Sequence, residues 1–234
     1  MILDNKTTNA AVPGDFPLLR FDRVSVTVGN KTILKDLDLT LNPGEKIALK
    51  GRSGSGKSTL LKTVLGLYPL TGGTIFFQGK PLDRSTIQTL RGCTAYIGQE
   101  PVLGADTVGE ALWLPFRFKA HRGRPPSESR LRETLKRVRL PEAILGQECR
   151  RVSGGEKQRI AVARALLLGK CLYLVDEVTS ALDPESKRAV MDAILTPSHS
   201  VLSISHDPAW LDRCERVYEL EAGHLREEKP HGYA

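Results

Sequence analysis

The sequence predicts an α/β fold in which parallel strands alternate with helices around a single core. Short apolar runs of strand character alternate with segments of helical spacing along most of the chain. A glycine-rich motif joins one of these strands directly to a helix, as phosphate-binding α/β proteins require. With 234 residues, 40% of them hydrophobic, the chain can bury one substantial core, or a core with a small lobe attached.

The amino-terminal part is expected to begin with a tail and continue as strands. Residues 1–17 are largely polar, so we expect a flexible tail there. The Gly29-Asn30 turn separates two strand-like runs, of which the first alternates apolar and polar residues. The predicted elements of this part are strands at Leu19–Val28, Thr32–Leu41 and Lys46–Leu49, and a helix with Leu60, Leu61, Val64 and Leu65 on one face.

The rest of the chain continues the alternation. Residues from about 105 to 150 are mainly helical in character, most strongly at Ser127–Val138. No internal repeat is visible, so we expect one catalytic unit at 18–226 and a short tail at 227–234. The other predicted strands are Thr74–Phe77, Thr94–Ile97, Leu172–Val175, Val201–Ile204, Arg216–Leu220 and His224–Glu227, and the other predicted helices are Gly154–Leu168, Pro184–Leu195 and Ala209–Cys214.

Composition narrows the class of protein. No apolar run approaches the roughly 18–20 residues that span a bilayer, and the first residues lack the layout of a signal peptide, so we expect a cytosolic protein. The net charge of +7 suits nucleic acid, an anionic membrane surface or a nucleotide, and does not choose among them. The four cysteines are widely spaced and form no CxxC pair, so we expect reduced packing residues: Cys93, Cys149, Cys171 and Cys214.

The segment from Gly51 to Ser58 matches the phosphate-binding pattern G-x-x-x-x-G-K-[ST]. Its glycines let backbone N–H groups point at phosphate oxygens, and the helix that follows presents its positive end to the same anion. Lys57 is expected to reach the β- and γ-phosphates, and the Ser58 hydroxyl to bind Mg²⁺. The predicted nucleotide contacts of this loop are Gly51, Ser53, Gly54, Ser55, Gly56, Lys57, Ser58 and Thr59.

Asp176 and Glu177 lie at the carboxyl end of the apolar strand Leu172–Val175. Parallel strands present the residues at this end to a ligand crevice. Asp176 is expected to hold Mg²⁺ and Glu177 to act as the general base on the attacking water. His206 follows the next predicted strand and could donate a hydrogen bond to a γ-phosphate. Taken alone, His206 would more often be a loop residue without a role.

The segment Val152-Ser153-Gly154-Gly155-Glu156 resembles the L-S-G-G-Q signature of ABC-transporter ATPases. The other landmarks of that family are present in order along the chain: Gln99 resembles the Q-loop glutamine, Ser180-Ala181-Leu182-Asp183 the D-loop, and His206 the switch histidine. The resemblance covers about residues 18 to 225, nearly the whole chain.

The resemblance implies a P-loop NTPase core with a RecA-like parallel sheet, an N-terminal antiparallel β subdomain and a small α-helical subdomain at about 100–155. It implies ATP hydrolysis by a homodimer, in which the signature of one copy closes on the ATP of the other, coupled to an integral membrane permease at the inner face of the cell membrane. No nucleic-acid partner is expected. By this resemblance the catalytic residues are Lys57, Gln99, Glu177 and His206; the Mg²⁺ ligands are Ser58, Gln99 and Asp176; and Ser153, Gly154, Gly155, Glu156 and Asp183 contact nucleotide.

Three positions depart from the family pattern. Val28 stands where an aromatic side chain usually stacks on adenine, so either base stacking is weaker here or another ring serves, with Phe21 and Tyr68 as candidates. Glu156 replaces the glutamine of the signature, and Val152 replaces its leucine.

The short insert 99–152 and the segment 176–183 resemble the Fet-type iron-export ATPases of bacteria, while the ATPases of polar amino-acid importers share many of these features. A soluble ABC ATPase of DNA repair or translation would usually carry two units or a long coiled coil. A regulator without turnover would not need Lys57, Asp176, Glu177 and His206. Basic residues dominate from Arg117 to Arg139, which favours a solvated helix face over apposition to anionic lipid. Trp113, Phe116 and Phe118 are assigned to the lobe core or a coupling groove.

Overall fold

The computed structural model describes residues 16–121, 123 and 125–228. The strands of this part are β1 (Leu19–Val28), β2 (Lys31–Leu41), β3 (Lys46–Lys50), β4 (Gly72–Phe77), β5 (Lys80–Pro81), β6 (Thr94–Ile97), β7 (Leu172–Asp176), β8 (Ser200–Ile204), β9 (Arg216–Glu221) and β10 (His224–Glu228). Its helices are α1 (Lys57–Val64), α2 (Ile87–Cys93), α3 (Val108–Arg117), α4 (Glu128–Arg137), α5 (Gly154–Leu167), α6 (Pro184–Ile194) and α7 (Pro208–Leu211), with a 3-10 helix at Glu142–Gly146.

The predicted tails fall mostly outside the described residues. Of the tail expected at 1–17, residues 1–15 lie outside the described residues. Of the tail expected at 227–234, residues 229–234 lie outside them. Strand β10 reaches Glu228, one residue beyond the predicted strand His224–Glu227. Its residues pair with β9 to the last position, Glu228 against Val217, which explains why the strand continues.

The first sheet is antiparallel and has the order β2-β1-β4-β5. Strand β1 lies in its centre, and alternate side chains such as Val24 and Val26 are buried as a half-buried strand requires. Register shifts interrupt its pairing with β2, and Arg23 and Asp36 take positive φ there, at 48° and 47°. These bulges bend the sheet over the core.

The second sheet has the order β10-β9-β3-β8-β7-β6, and its strands β9, β3, β8, β7 and β6 run parallel. Strands β7 and β8 are buried along their whole length, as helices cover both faces. Side chains of β7 alternate between two apolar clusters: Leu172 and Leu174 enter one, Tyr173 and Val175 the other. Because these five strands run parallel, their carboxyl ends meet at one edge of the sheet.

A helical lobe of α3, α4 and the 3-10 helix leaves this sheet after β6 and returns at α5. A capping box begins α3, in which the Thr107 hydroxyl accepts from the Glu110 backbone and Glu110 accepts from the Thr107 backbone. The base of the lobe is closed by a hydrogen bond from Cys149 N to Asp106 O (2.7 Å) and by a bridge between Thr107 and Glu148.

Several aromatic and basic side chains of the lobe pack within it or bond to the helices beside it. Trp113 and Phe116 pack edge to face at 5.9 Å and lie against the core, whereas Phe118 is exposed. Arg130 and Arg137 donate hydrogen bonds to the backbone carbonyls of Leu166 and Ala193. These contacts agree with a solvated face that is also tied to its neighbours, rather than a face reserved for lipid.

Short elements were missed by the sequence. Strand β5 has two residues, and α2 buries only Leu90, so neither carries a periodic apolar pattern. A local signal for α2 was present, because Asp83 accepts hydrogen bonds from the backbone of Ser85 and Thr86 just before the helix. Helix α7 also ends at Leu211, earlier than the predicted Ala209–Cys214.

A buried hydroxyl on β8 links the parallel sheet to α7. The Ser203 hydroxyl donates to Ile47 O (3.1 Å) and accepts from the indole N–H of Trp210 (2.9 Å). Both side chains are almost fully buried. This contact fixes the segment that carries His206.

We expect Ser203→Ala to lower the free energy of unfolding by about 1–3 kcal/mol, because it leaves the buried indole N–H without an acceptor. Denaturant unfolding measures the loss. Ser198→Ala, which removes an exposed hydroxyl, is the matched control and should change stability little. Equal stabilities of the two variants would contradict the structural role of Ser203.

Candidate functional site

Glycines shape the loop between β3 and α1 because neighbouring segments leave no room for side chains. Gly51 and Gly56 take φ of 140° and 108°, which side-chain-bearing residues rarely adopt. A Cβ on Gly51 would lie 2.4 Å from Leu220 O, and one on Gly56 would lie 2.7 Å from the Ile33 side chain. The strands β9 and β2 thus press the loop into a cradle.

Lys57 begins α1 and is folded back over this cradle. Its side chain is buried, and Nζ donates to Gly51 O (2.6 Å) and Arg52 O (3.0 Å). The Ser55 hydroxyl is also buried, and it has no hydrogen-bond partner among the described residues. A buried polar atom without a partner is costly unless a ligand completes it. The loop is therefore suited to an anion that accepts from Ser55 and Lys57.

The amino end of α1 adds to this preference. Ser58 and Thr59 are half-buried in its first turn, while Ser53 and Gly54 are exposed at the loop tip. The first turn of α1 contains no acidic residue, so its positive end stays available to an anion. Every predicted phosphate contact of the loop lies in this one segment.

Asp176 and Glu177 lie at the carboxyl end of β7. Asp176 is buried, whereas Glu177 begins a turn with a φ of 48°, an uncommon conformation for a residue with a side chain. The turn is held by the hydrogen bond from Glu177 N to Ile204 O (3.0 Å), and the Ser180 hydroxyl donates to Glu177 O. Backbone strain of this kind concentrates at functional sites.

The structure brings three of the predicted catalytic side chains together. The Gln99 amide donates from Nε2 to Glu177 Oε2 (3.0 Å), and His206 Nε2 lies 3.8 Å from Glu177 Oε1. Gln99 follows β6 and His206 follows β8, the two strands on either side of β7. The parallel register thus assembles a carboxylate with a neutral donor on one side and an imidazole on the other.

The residues present fit Mg²⁺ only in the presence of further oxygen ligands. Among the described residues, no group of three or more His, Cys, Asp or Glu side chains could hold a metal ion alone. The Asp176 carboxylate and the Ser58 hydroxyl are hard oxygen donors, the type that Mg²⁺ prefers. Magnesium commonly combines one or two such ligands with water and substrate phosphates, so this small donor set suits it.

A cavity of about 290 Å³ opens beside Glu177 and His206 and is lined also by Lys187 and Asp207. Lys187 Nζ lies 2.9 Å from Asp207 Oδ2. Sequence reasoning missed this ion pair as part of the site. The sequence positions could have indicated that this pair lies at the site, because Asp207 adjoins His206 and Lys187 comes one helical turn after Asp183.

The segment from Ser153 to Glu156 forms the amino end of α5 and caps itself. The Ser153 hydroxyl accepts from Glu156 N (3.2 Å), and the Glu156 carboxylate accepts from Ser153 N (2.7 Å). These bonds lower the pKa of Glu156, so the cap stays charged near neutral pH and weakens only as pH falls through that lowered pKa. Ser153 and Gly154 are exposed, and Gly155 lies next to Ala181 O.

Asp183 has a local task as well. Its carboxylate caps α6 by accepting from the backbone N–H groups of Ser186 (2.9 Å) and Glu185 (3.1 Å). Hydrogen bonding to the Ser186 side chain, together with these backbone bonds, lowers the pKa of Asp183. The predicted nucleotide contact of Asp183, like that of Glu156, therefore involves a carboxylate already held by a helix end.

The structure excludes one of the two residues that were candidates for stacking on adenine. Phe21 is buried inside the core, so it was a wrong candidate for base stacking. Tyr68 is half-buried against the same core. Val28 is 44% exposed at the end of β1, and Ile33 reaches Gly56 of the cradle from β2. The side chains that meet Gly56 from β2 are thus aliphatic, those of Ile33 and Leu34.

A second cavity, of about 260 Å³, lies between β6, the Gln99 loop, α3 and α5. Its lining includes Tyr96, Pro101 and Val102, and Val102 is 81% exposed. The guanidinium of Arg164 holds the loop by donating to Val102 O (3.1 Å) and Leu103 O (2.9 Å). The exposed apolar groove therefore rests on a fixed backbone.

Comparison with known proteins gives a consistent result. Residues 34–180 match the family model described as ABC transporter. The chain is 35% identical over 217 residues to the probable iron export ATP-binding protein FetA of Escherichia coli (strain K12), covering 90% of this chain and 95% of that protein. It is 34% identical over 230 residues to an ATP-dependent lipid A-core flippase of Chromobacterium violaceum and 35% identical over 211 residues to multidrug resistance protein 1 of Entamoeba histolytica. The flippase match covers 95% of this chain but only 39% of the flippase, and the multidrug resistance match covers 85% of this chain but only 16% of that protein.

Solved structures agree with the fold. The dimeric post-hydrolysis state of the ATP-binding cassette MJ0796 bound to ADP and Pi superposes with a TM-score of 0.79 at 29% identity, over 92% of this chain and all of that one. A bacterial Atm1-family ABC exporter with ATP bound gives 0.80 at 26% identity, over 94% of this chain and 40% of that one. The predicted fold class is thereby confirmed.

We expect Lys57→Ala to weaken nucleotide binding about 10- to 100-fold, because a charge-assisted contact of about 1.5–3 kcal/mol is lost. Equilibrium binding of a fluorescent ATP analogue measures this. Lys62→Ala, on the same helix, is the matched control and should bind normally. Unchanged affinity in Lys57→Ala would refute the assignment of Lys57 to the phosphates.

Proposed function

The chain belongs to the ABC transporter family and is an ATP-hydrolysing subunit of it, and we propose that it drives export as an ATP-bound homodimer beneath a separate membrane permease. The observation that carries the proposal is the Glu177 cluster, in which Gln99 and His206 flank one carboxylate at the edge that also bears the phosphate cradle. Among the described residues, no helix is long and apolar enough to cross a membrane. The membrane step would then belong to a partner, with this chain peripheral on the inner face.

Hydrolysis would follow from groups already in position. The amides of the cradle, Lys57 and the Ser55 hydroxyl bind the phosphates and hold them against the carboxyl edge of the sheet. Glu177 accepts the proton of the attacking water, Gln99 orients that carboxylate, and His206 donates to the γ-phosphate. Mg²⁺, held by Ser58, Asp176 and Gln99, would supply neutralisation of the phosphate charge.

Dimer closure would use the second helix amino end. Ser153 and Gly154 are exposed at the start of α5, with the helix dipole behind them. The family resemblance assigns these exposed groups to the ATP of the other copy, although the Glu156 carboxylate already caps the same helix end. Each ATP would then lie between two chains and favour their closed arrangement. Hydrolysis removes that bridge and lets the pair reopen.

The groove beside Gln99 is the proposed contact for the permease. The groove lies between the helical lobe and β6, and Val102 in its wall is only three positions after Gln99. A displacement of Val102 by a bound partner would therefore be passed on to Gln99 along the chain. The resemblance assigns the helical lobe to a coupling helix of the membrane subunit, and the exposed apolar Val102 suits such a helix.

Export of a metal ion, with iron as the cargo, is the transport we propose. The support is the match along almost the whole length of FetA, which is described as a probable iron exporter. The flippase and multidrug proteins are matched only in part of their length. The identity of the permease and its own site would set the cargo.

We expect Glu177→Gln to reduce turnover about 10²–10⁴-fold while ATP still binds, because the general base is lost and the cradle is not. ATP should then hold the variant as a dimer. Phosphate release and sedimentation with and without ATP measure the two effects. Glu133→Gln, an exposed change on helix α4, should keep wild-type turnover. Wild-type hydrolysis by Glu177→Gln would contradict the base assignment.

We expect Val102→Glu to abolish stimulation of the ATPase by the co-expressed permease while leaving basal hydrolysis intact, because a charge enters the proposed docking groove. Cells carrying it with the permease should retain more iron than wild-type cells. Leu67→Glu, which is 60% exposed outside the groove, is the control. Unchanged stimulation in Val102→Glu would exclude this groove. Stimulation without iron efflux would exclude iron as cargo.

A further inference from the structure

Two of the four cysteines stand side by side at the amino ends of neighbouring strands. Cys93 ends α2, and Cys171 immediately precedes β7. The residues after them, Thr94 and Leu172, are paired in the parallel register of β6 and β7. Neighbouring strands lie about 4.8 Å apart, which is within the roughly 4.4–6.8 Å between Cα atoms that a disulfide spans. Cys171 Sγ lies 3.7 Å from Cys93 O.

The surroundings distinguish the two thiols. A hydrogen bond from Cys171, aided by the charge of Lys170, lowers the pKa of Cys93 to about 6. The same hydrogen bond, together with burial, raises the pKa of Cys171. Burial raises the pKa of Cys149 and brings that of Cys214 to about 12. Cys93 is therefore the thiol that is ionised near neutral pH, and it is half-buried rather than enclosed.

We propose that Cys93 and Cys171 form a thiol–disulfide exchange site for small-molecule disulfides, in which Cys93 attacks and Cys171 resolves. This replaces the sequence expectation that both are packing residues. The site lies at the end of the parallel strands opposite Gln99 and Asp176, and it does not depend on the proposed transport function.

The exchange is balanced without any further reagent. The Cys93 thiolate attacks one sulfur of the disulfide RSSR, forms a mixed disulfide, and releases the first thiolate, which takes up a proton as RSH. Cys171 then gives up its proton and attacks the Cys93 sulfur, and the second thiolate leaves as RSH. Two protein thiols are oxidised to one disulfide, and one RSSR is reduced to two RSH.

A disulfide between Cys93 and Cys171 would enclose a segment that contains residues of the candidate site. The two cysteines are 78 positions apart, and the chain between them includes the Gln99 loop, the helical lobe and α5. Strand β6 is the edge of the sheet and has β7 as its neighbour there. Oxidation would therefore link the amino end of β6, the edge strand that leads to Gln99, covalently to the amino end of β7. It should also raise the melting temperature, because the disulfide restricts the unfolded chain.

The test treats the full chain, reduced and free of nucleotide, with oxidised glutathione at neutral pH. After acid quenching and denaturation, a maleimide polymer counts free thiols. We expect the four labels of the reduced chain to fall to two, the mass to drop by two hydrogens, and peptide mapping to find Cys93 joined to Cys171. The variant Cys149→Ser with Cys214→Ser should lose both of its labels, whereas Cys93→Ser with Cys171→Ser should lose neither.

The single variants test the order of attack. Cys171→Ser should form a glutathione adduct at Cys93 at least ~10-fold faster than Cys93→Ser forms one at Cys171, because the thiolate is the nucleophile. A melting curve for each variant confirms that it is folded. Four labels retained by wild type, a bond that involves Cys149 or Cys214, or bonds between chains would overturn the site. Equal adduct rates would overturn the assigned order.

Discussion

Parallel pairing of β3, β8, β7 and β6 is the constraint on which the rest of the molecule depends. It brings the ends of four strands to one edge, so that residues far apart in sequence become neighbours: the cradle after β3, Asp176 and Glu177 after β7, Gln99 after β6 and His206 after β8. Complete burial of β7 and β8 keeps this register fixed, since a slip would move apolar side chains out of both clusters. The site is thus a consequence of strand order more than of any single contact.

Most of the long elements and the location of the site could be predicted from the sequence, because apolar periodicity and the glycine pattern report directly on burial and backbone shape. The clustering of Gln99, Glu177 and His206 followed from the resemblance and from the rule for strand ends. Elements without a periodic pattern could not be predicted, such as β5 and α2. Their short runs are decided by tertiary contacts.

Side-chain partners were the other limit of prediction. The sequence assigned Glu156 and Asp183 to nucleotide by resemblance, but both carboxylates also meet the nearest unsatisfied N–H groups, those at their own helix ends. Phe21 looked available for stacking because a strand gives no sign of which face is covered by a second layer. The proximity of Cys93 to Cys171, 78 positions apart, likewise required the register of β6 and β7.

The helical lobe begins and ends at nearly the same point, where Cys149 bonds Asp106 and Thr107 bridges Glu148. A segment whose two ends are already joined imposes little on the strands that carry it, and the entropic cost of closing it grows only slowly with its length. Lobes of other lengths and sequences can therefore be accommodated on the same sheet without displacing the catalytic edge. The lobe is in this sense an exchangeable module, and transplanting it between relatives would separate the proposed permease contact from the hydrolysis of ATP.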